Sequence, residues 1–285
     1  MSTLKIRVWD VKHGNAIYVQ TPNNKHLVYD LGRGDYSENS DDRSPLETLY
    51  NHYKVRTIDY LMITHPHKDH IDDILLLNKF NLKVLQRPKG LDKATILNGV
   101  SDRDRPKFEK YFDLDERYTY PVPSDTDINV PSNFGGVAFQ TFQTTSLPES
   151  NLNNRSILSV LSYEGLKVII PGDNEYASLD LLMQRSDFKD AVKNCDILIA
   201  PHHGRESAYH SDFVSLANPR LTIISDGSLC DTSANPKYTQ KSRGWKVWYK
   251  GIQRDRYLLT TNTDGEIYID IWSDQQQRNL YVEIK

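Results

Sequence analysis

Residues 65–70 read His65-Pro66-His67-Lys68-Asp69-His70, and few hexapeptides restrict a fold so tightly. The segment follows a largely apolar run, Thr57 to Thr64, with the composition of a buried strand. It precedes a run in which Ile71, Ile74, Leu75 and Asn78 begin successive turns of a helix. Three imidazoles and a carboxylate therefore share one strand-to-helix turn. Imidazole nitrogen and carboxylate oxygen are the usual ligands of zinc and other catalytic divalent metals. Side chains this close can serve two ions, with His65 and His67 turned to one and Asp69 and His70 to the other. A histidine-rich surface turn is the plain alternative. Four ligand-type residues in six positions, between a strand and a helix, favour a metal site.

Two later strand ends offer further ligands. Val168-Ile169-Ile170-Pro171-Gly172-Asp173 delivers a carboxylate just after a glycine, and Ile197-Leu198-Ile199-Ala200-Pro201-His202-His203-Gly204 delivers paired imidazoles. Taken alone, Asp173 suits a helix N-cap, and His202 or His203 suits a core histidine. Their order after the first motif favours ligands.

The remaining pattern describes the frame that holds these ends. Leu4, Ile6 and Val8 alternate as a strand, followed by strands at Ala16–Val19 and His26–Tyr29 with a turn at Pro22-Asn23-Asn24. Asp30-Leu31-Gly32 ends the third strand, residues 34–44 read as an exposed loop, and Pro45 opens a helix carrying Leu46, Leu49 and Tyr50. Further strands are expected at 137–142, 157–163, 167–170, 196–200, 221–225, 246–249, 256–261, 266–272 and 280–284. Helices are expected around Leu179–Met183 and 210–217. Residues 87–136, rich in charge and proline with one short helix near 107–112, read as an inserted lid. Strands in two sets with helices between them predict an α/β fold, an αββα sandwich of two facing sheets with helices outside. A single domain spans 1–285.

Net charge is −3, so no global basic field announces a nucleic-acid binder, and any such binding must use a local patch. The start, Met1 to Arg7, lacks the apolar stretch of a signal peptide, and no apolar run approaches a membrane span. Cys195 and Cys230 form no CxxC pair and read as two reduced thiols. The expected compartment is the cytoplasm, with no membrane partner.

The ordered set HxHxDH, Gly-Asp and histidine, each at a strand end, resembles the metallo-β-lactamase superfamily. Within it the similarity is to the hydrolase domain of the DNA-uptake competence protein ComEC and its free-standing relatives. Asp10-Val11-Lys12-His13-Gly14-Asn15-Ala16 is similar to their DVGQGDA-type opening, and Leu27-Val28-Tyr29-Asp30-Leu31-Gly32 to their strand ending in DxG. Asn154-Arg155-Ser156-Ile157-Leu158 is similar to their NxxSLV segment, and Pro201-His202-His203-Gly204 to their HHGS. Choline-releasing phosphorylcholine esterases share the arrangement of the last two motifs. The resemblance covers residues 4–270.

It implies two divalent ions, zinc or manganese. His65 and His67 would bind the first ion, Asp69 and His70 the second, and Asp173 would bridge them. His202 would complete the second site, with His203 the alternative ligand, or a proton donor or phosphate contact. Asp30 would lie beneath the site and orient a ligand imidazole, with Asn154 and Ser156 beside it. The superfamily's usual third-motif histidine is absent, and Asn154 and Ser156 stand in that stretch. Position 67, often Asp in this subgroup, is His here, which argues for a fuller first site. Asn15 replaces an Asp, Arg205 a Ser, and Ala234-Asn235-Pro236 stands where a His-Pro segment is common.

Two such ions about 3.5–4 Å apart can hold a hydroxide between them and polarise a scissile group, with Asp69 orienting that hydroxide. The resemblance favours a phosphodiester as substrate, and a nuclease before other phosphodiesterases. A nucleic-acid strand would meet the 87–136 excursion, with Arg103, Arg105 and Lys107 on phosphates and Tyr111, Tyr118 and Tyr120 stacking on bases. Interleaved acids there make a solvated mixed-charge lid the equal alternative. A phosphodiesterase of cyclic nucleotides or phosphocholine esters is the second enzyme reading. A third class is an inactive metal-binding module that recognises nucleic acid or a partner protein in a multi-subunit bacterial defence or toxin–antitoxin system.

Overall fold

The computed structural model describes residues 2–34, 44–227, 232–274 and 277–285. Cys230 and most of the 34–44 loop lie outside the described residues.

Strand alternation decides the layering. In His26–Tyr29, Leu27 and Tyr29 enter one apolar cluster while Val28 enters another. In Leu166–Ile170, Val168 and Ile170 enter the first cluster and Ile169 a third. Strands with apolar residues on both faces must be covered on both faces. Here they are. The first cluster fills the space between two sheets, and the other two glue helices to the outside.

Among the described residues the first large sheet has nine strands. Their spatial order is Ile252–Arg256, Trp245–Tyr249, Gln277–Ile284, Ile267–Asp274, Leu4–Val8, Ile17–Gln20, His26–Tyr29, Tyr60–Met62 and Leu85–Gln86. The second has six: Leu258–Thr260, Leu221–Ile224, Ile197–Ile199, Leu166–Ile170, Leu158–Tyr163 and Ala138–Phe142. Helix Pro45–Asn51, capped by Ser44, and helix Arg105–Arg117 cover the first sheet. Helices Tyr176–Met183, Ser186–Val192 and Ser211–Ala217 cover the second. This is the αββα sandwich expected from the sequence.

Parallel pairing aims the strand ends. His26–Tyr29 runs parallel to Tyr60–Met62 in register Leu27 to Tyr60, and Leu166–Ile170 runs parallel to Ile197–Ile199 in register Val168 to Ile197. The carboxyl ends of these four strands carry Asp30, the 65–70 turn, Asp173 and the His202-His203 pair.

The 87–136 excursion is built differently from the sequence reading. Helix Arg105–Arg117 extends the short one expected, and a further helix, Lys93–Leu97, precedes it. Phe108, Tyr111, Phe112 and Leu114 are buried in the outer core. Tyr111 is therefore a packing residue and cannot stack on a base. Lys107 is buried too, with Nζ bonded to Asp72 and 3.2 Å from Asp104 Oδ1, so it pins the segment to the fold rather than meeting a phosphate. Lys68, next to the site turn, reaches Asp104 at 3.4 Å. Arg103 is exposed, Arg105 half-buried, and Tyr120 exposed.

Candidate metal centre

The site is assembled from five loops, joined by backbone hydrogen bonds. Asn15 N–H donates to Asp69 O at 3.2 Å, Leu31 N–H to His70 O at 2.8 Å, and Gly32 N–H to Asn15 O at 2.8 Å. His202 N–H donates to Gly172 O at 3.1 Å, joining the two later loops. The approach is close enough to need glycine: a Cβ on Gly14 would lie 2.7 Å from Asp69 O, and one on Gly32 2.6 Å from the same oxygen.

Asp69, His70, Asp173 and His203 are all buried, with one ligand atom from each within 4.8 Å of the others. His203 Nε2 lies 3.0 Å from Asp69 Oδ2 and 3.4 Å from Asp173 Oδ2, and His70 Nε2 lies 3.2 Å from Asp173 Oδ1. Each ring is held from behind. His70 Nδ1–H donates to Asp30 Oδ2 at 2.8 Å, and His203 Nδ1–H to the Ser225 carbonyl at 2.8 Å. Such contacts turn the other ring nitrogen toward the ion. Beside this group, His65 Nε2 faces His67 Nδ1 at 2.9 Å and Asp173 Oδ2 at 3.8 Å.

Asp30, Asn15, Ser156 and Asn154 lie beneath or beside these side chains. Asp30 accepts from Thr64 N–H at 2.7 Å, from Asn15 Nδ2 at 2.9 Å and from His70. An Asp at position 15 would set a second carboxylate against Asp30, whereas Asn15 donates to it. Ser156 Oγ accepts from Asp173 N–H at 3.0 Å, and Asn154 Oδ1 from Glu175 N–H at 3.2 Å.

His202 does not join His203 in the second-site cluster. The sequence reading placed His202 there with His203 as the alternative, and it is the His203 ring that stands beside Asp69 and Asp173, at 3.0 and 3.4 Å. The cause is backbone twist. His202 and His203 are both left-handed, at φ 45° and 52°, so their side chains diverge. That conformation is rare for non-glycine residues and costs on the order of 1–3 kcal/mol each, a strain typical of functional loops. His202 Nε2 ends 4.0 Å from Asp173 Oδ2, with Nδ1 3.2 Å from Glu175 Oε1.

Charge explains why a cation belongs here. Burial works against charge on Asp69, but His70 and His203 outweigh it and hold that carboxyl low; Asp173 is held well below its usual range in the same way. Burial also opposes charge on His203, yet Asp173 and Asp69 push it up to about 10. Without metal, then, protons on imidazoles neutralise two buried carboxylates. His70 Nε2 is buried and has no hydrogen-bond partner, as expected of a ligand atom. Nitrogen and carboxylate donors of this kind suit zinc or manganese, so the residues fit divalent metal.

Three functional side chains at the mouth escape the sequence reading as a group. His13 Nδ1 contacts Asp226 Oδ1 at 3.1 Å, its Nε2 lies 3.6 Å from Asp69 Oδ2, and its ring lies 4.5 Å from that of His203. Arg205 lies 3.4 Å from Asp226 Oδ1. His13 sits inside the opening motif, which was the available signal. Nothing local ties it to Asp226.

A sequence model of the metallo-beta-lactamase superfamily matches residues 9–225, most of the chain, and the protein belongs to that superfamily. It is a metallohydrolase of that group with a candidate divalent-metal site. Solved structures similar to it include a Zn-dependent hydrolase of the superfamily from Thermotoga maritima, at 12% identity and TM-score 0.43, covering 90% of this chain and 97% of that one. Human tRNase Z, short form, is 12% identical with TM-score 0.42, over 80% and 95%. A diphosphatase of the PhnP family is 11% identical with TM-score 0.46, over 94% and 98%. No curated protein matches the sequence. Among the described residues no helix is long and apolar enough to cross a membrane.

Proposed function

We propose that the protein hydrolyses phosphodiester bonds, with nucleic acid as the leading substrate class. The observation that carries this reading is the pairing of a buried carboxylate–imidazole cluster with N–H donors at its open edge, His13 and Arg205. The similarity of the opening, NxxS and HHG segments to ComEC-like hydrolases supports the same reading.

Divalent metal held by the cluster supplies Lewis acidity and lowers the pKa of water. The chain's own residues do the rest. Asp69 and Asp173 gather the ligands, and Asp30 and the Ser225 carbonyl fix the rings of His70 and His203. Arg205 brings a permanent positive charge to the mouth, where a phosphoryl oxygen would lie. His13, with Nδ1 on Asp226, presents Nε2 toward the site and can hand a proton to a leaving alkoxide there. The test is a metal-supplemented screen over single-stranded DNA, duplex DNA, RNA and bis-p-nitrophenyl phosphate. Cleavage of a nucleic acid supports the full reading, cleavage of the small diester alone favours a small-molecule phosphodiesterase, and no cleavage by metal-loaded protein overturns both.

A further inference from the structure

His202 and His203 are neighbours in sequence, yet their rings diverge, with centroids 5.9 Å apart, and they reach Asp173 Oδ2 at 4.0 and 3.4 Å. His203 belongs with Asp69 and His70. His202 turns Nδ1 to Glu175 and Nε2 toward Asp173 Oδ2, at 3.2 and 4.0 Å. The Glu175 contact is a close ion-pair distance rather than a well-aligned hydrogen bond.

Glu175 is itself held firmly. Asn151 Nδ2 donates to its Oε2 at 2.7 Å, while Asn153 Nδ2 and Ser207 Oγ donate to Oε1 at 3.4 and 3.3 Å. A carboxylate behind one ring nitrogen, with the other nitrogen facing a shared carboxylate, is how proteins orient metal-binding imidazoles. His70 has that arrangement already, with Asp30 behind and Asp173 in front. His202 repeats it, with Glu175 behind and Asp173 in front.

His65 faces the same Asp173 oxygen as His202, with His67 beside it. Their facing nitrogens are 2.9 Å apart, and His65 Nε2 is 3.8 Å from the same Asp173 Oδ2 that His202 approaches at 4.0 Å. Ligands of a tetrahedral ion with bonds of about 2.1 Å are roughly 3.4 Å apart. The observed separations bracket that value.

We propose that His202 is the third nitrogen ligand of the first metal position, completing His65, His67 and Asp173, and that Glu175 is its positioning residue. The two consecutive left-handed residues divide one dipeptide between two ions. His202 thereby fills the place left by the histidine missing from the 154–158 stretch. Asn154 takes a different task there, accepting from the Glu175 backbone N–H at 3.2 Å. The inference rests on the two-metal reading of the site, not on the phosphodiester as substrate.

The test measures metal rather than turnover. Stripped protein is reloaded with zinc and followed by calorimetry and elemental analysis, as wild type, His202→Ala and Glu175→Gln. Wild type is expected to take two ions. His202→Ala should lose the weaker ion and keep the tighter one with wild-type affinity. Glu175→Gln should weaken the same ion roughly 10–100-fold, the usual effect of removing such a support. An anomalous-scattering map of zinc-loaded wild-type crystals should place an ion in bonding contact with His202 Nε2, and it decides the matter even if His202→Ala does not fold. Unchanged affinities for both ions in His202→Ala, a wild type that binds only one ion, or a map with His202 away from both ions would each overturn the inference.

Discussion

The two halves of the centre share Asp173 but differ in what stands behind their ligands. His70 and His203 are fully buried and braced by Asp30 and the Ser225 carbonyl, both at 2.8 Å. Asp69 is tied through its own carbonyl to the Asn15 backbone. In the other half, His65 has only the Thr64 hydroxyl near Nδ1, at 3.3 Å, His67 is partly exposed, and the His202 side chain is 21% accessible. A braced ligand loses little freedom when metal arrives, and a loose one must be ordered first. On the two-metal proposal, the comparison predicts two positions of unequal affinity, with the Asp69–His70–His203 half the tighter.

The largest effect should come from the residue both halves share. Asp173→Ala is expected to abolish binding of both ions, read by elemental analysis after reconstitution; one ion retained at full occupancy would show that the carboxylate is not shared. Next come variants that separate the halves. His203→Ala should empty the tighter position and His67→Ala the looser one, each leaving a folded protein with one ion. Two fully occupied anomalous peaks in His67→Ala would break the comparison.

Acidity sharpens it further. Burial opposes the charged forms of His70 and His203, but Asp173, Asp30 and Asp69 raise the first well above the ordinary 6.5, and Asp173 and Asp69 raise the second to about 10. Metal must displace those protons, so affinity at the tighter position should climb with pH between 7 and 10. Where two protons leave, the rise is up to about a hundredfold per unit. The sign for the metal-free fold is opposite. Raised imidazole values contribute stability that is full below 6.5 and lost as pH passes about 10. Calorimetry across buffers of different ionisation enthalpy and thermal melts of stripped protein read the two trends; affinity that falls with pH would refute both. A smaller effect belongs to Asp30→Asn, which should weaken the tighter ion roughly 10–100-fold and spare the other.

Away from the metal site, Lys107→Ala should destabilise the fold by on the order of 2 kcal/mol, because it removes a charged hydrogen-bond donor from the buried Asp72 carboxylate. Arg103→Ala with Arg105→Ala should leave stability unchanged and, if this face meets a polyanion, flatten the salt dependence of binding. A Lys107 variant that melts like wild type but binds nucleic acid poorly would reverse that assignment.

What the sequence disclosed follows from distance along the chain. His65 to His70 lie on one turn, so local pattern was enough to single them out. Asp173 and the His202-His203 pair stood out only by their order after that turn, and local pattern could not choose His203 over His202. The layering was legible from local pattern, since Leu27, Val28 and Tyr29 or Val168, Ile169 and Ile170 are apolar on both faces. His13, Asp226, Arg205 and Glu175 come from separate loops, and only folding brings them together. Lys107 stood in a run of alternating charge, where a buried ion pair and a solvated surface have the same composition. Helices Ser186–Val192 and Asn235–Lys241 and strand Ile252–Arg256 are short and polar, and tertiary pairing decides them. The left-handed pair at His202 and His203 has no glycine to announce it.

Every ligand candidate falls between residues 65 and 203, which invites the idea of a portable minimal fragment. The interlocked loops say otherwise. Asp69 O receives the Asn15 N–H, Gly14 and Gly32 leave room for that carbonyl, and Asp30 braces His70. Strand Ile267–Asp274, in turn, pairs with Leu4–Val8, and Gln277–Ile284 pairs with Ile267–Asp274. A chain trimmed to the ligand-bearing stretch would keep every donor and lose the floor they stand on. Deletions, tags or fusions that disturb either end of the sequence would therefore be felt at the metals, far from them in chain position and adjacent in space.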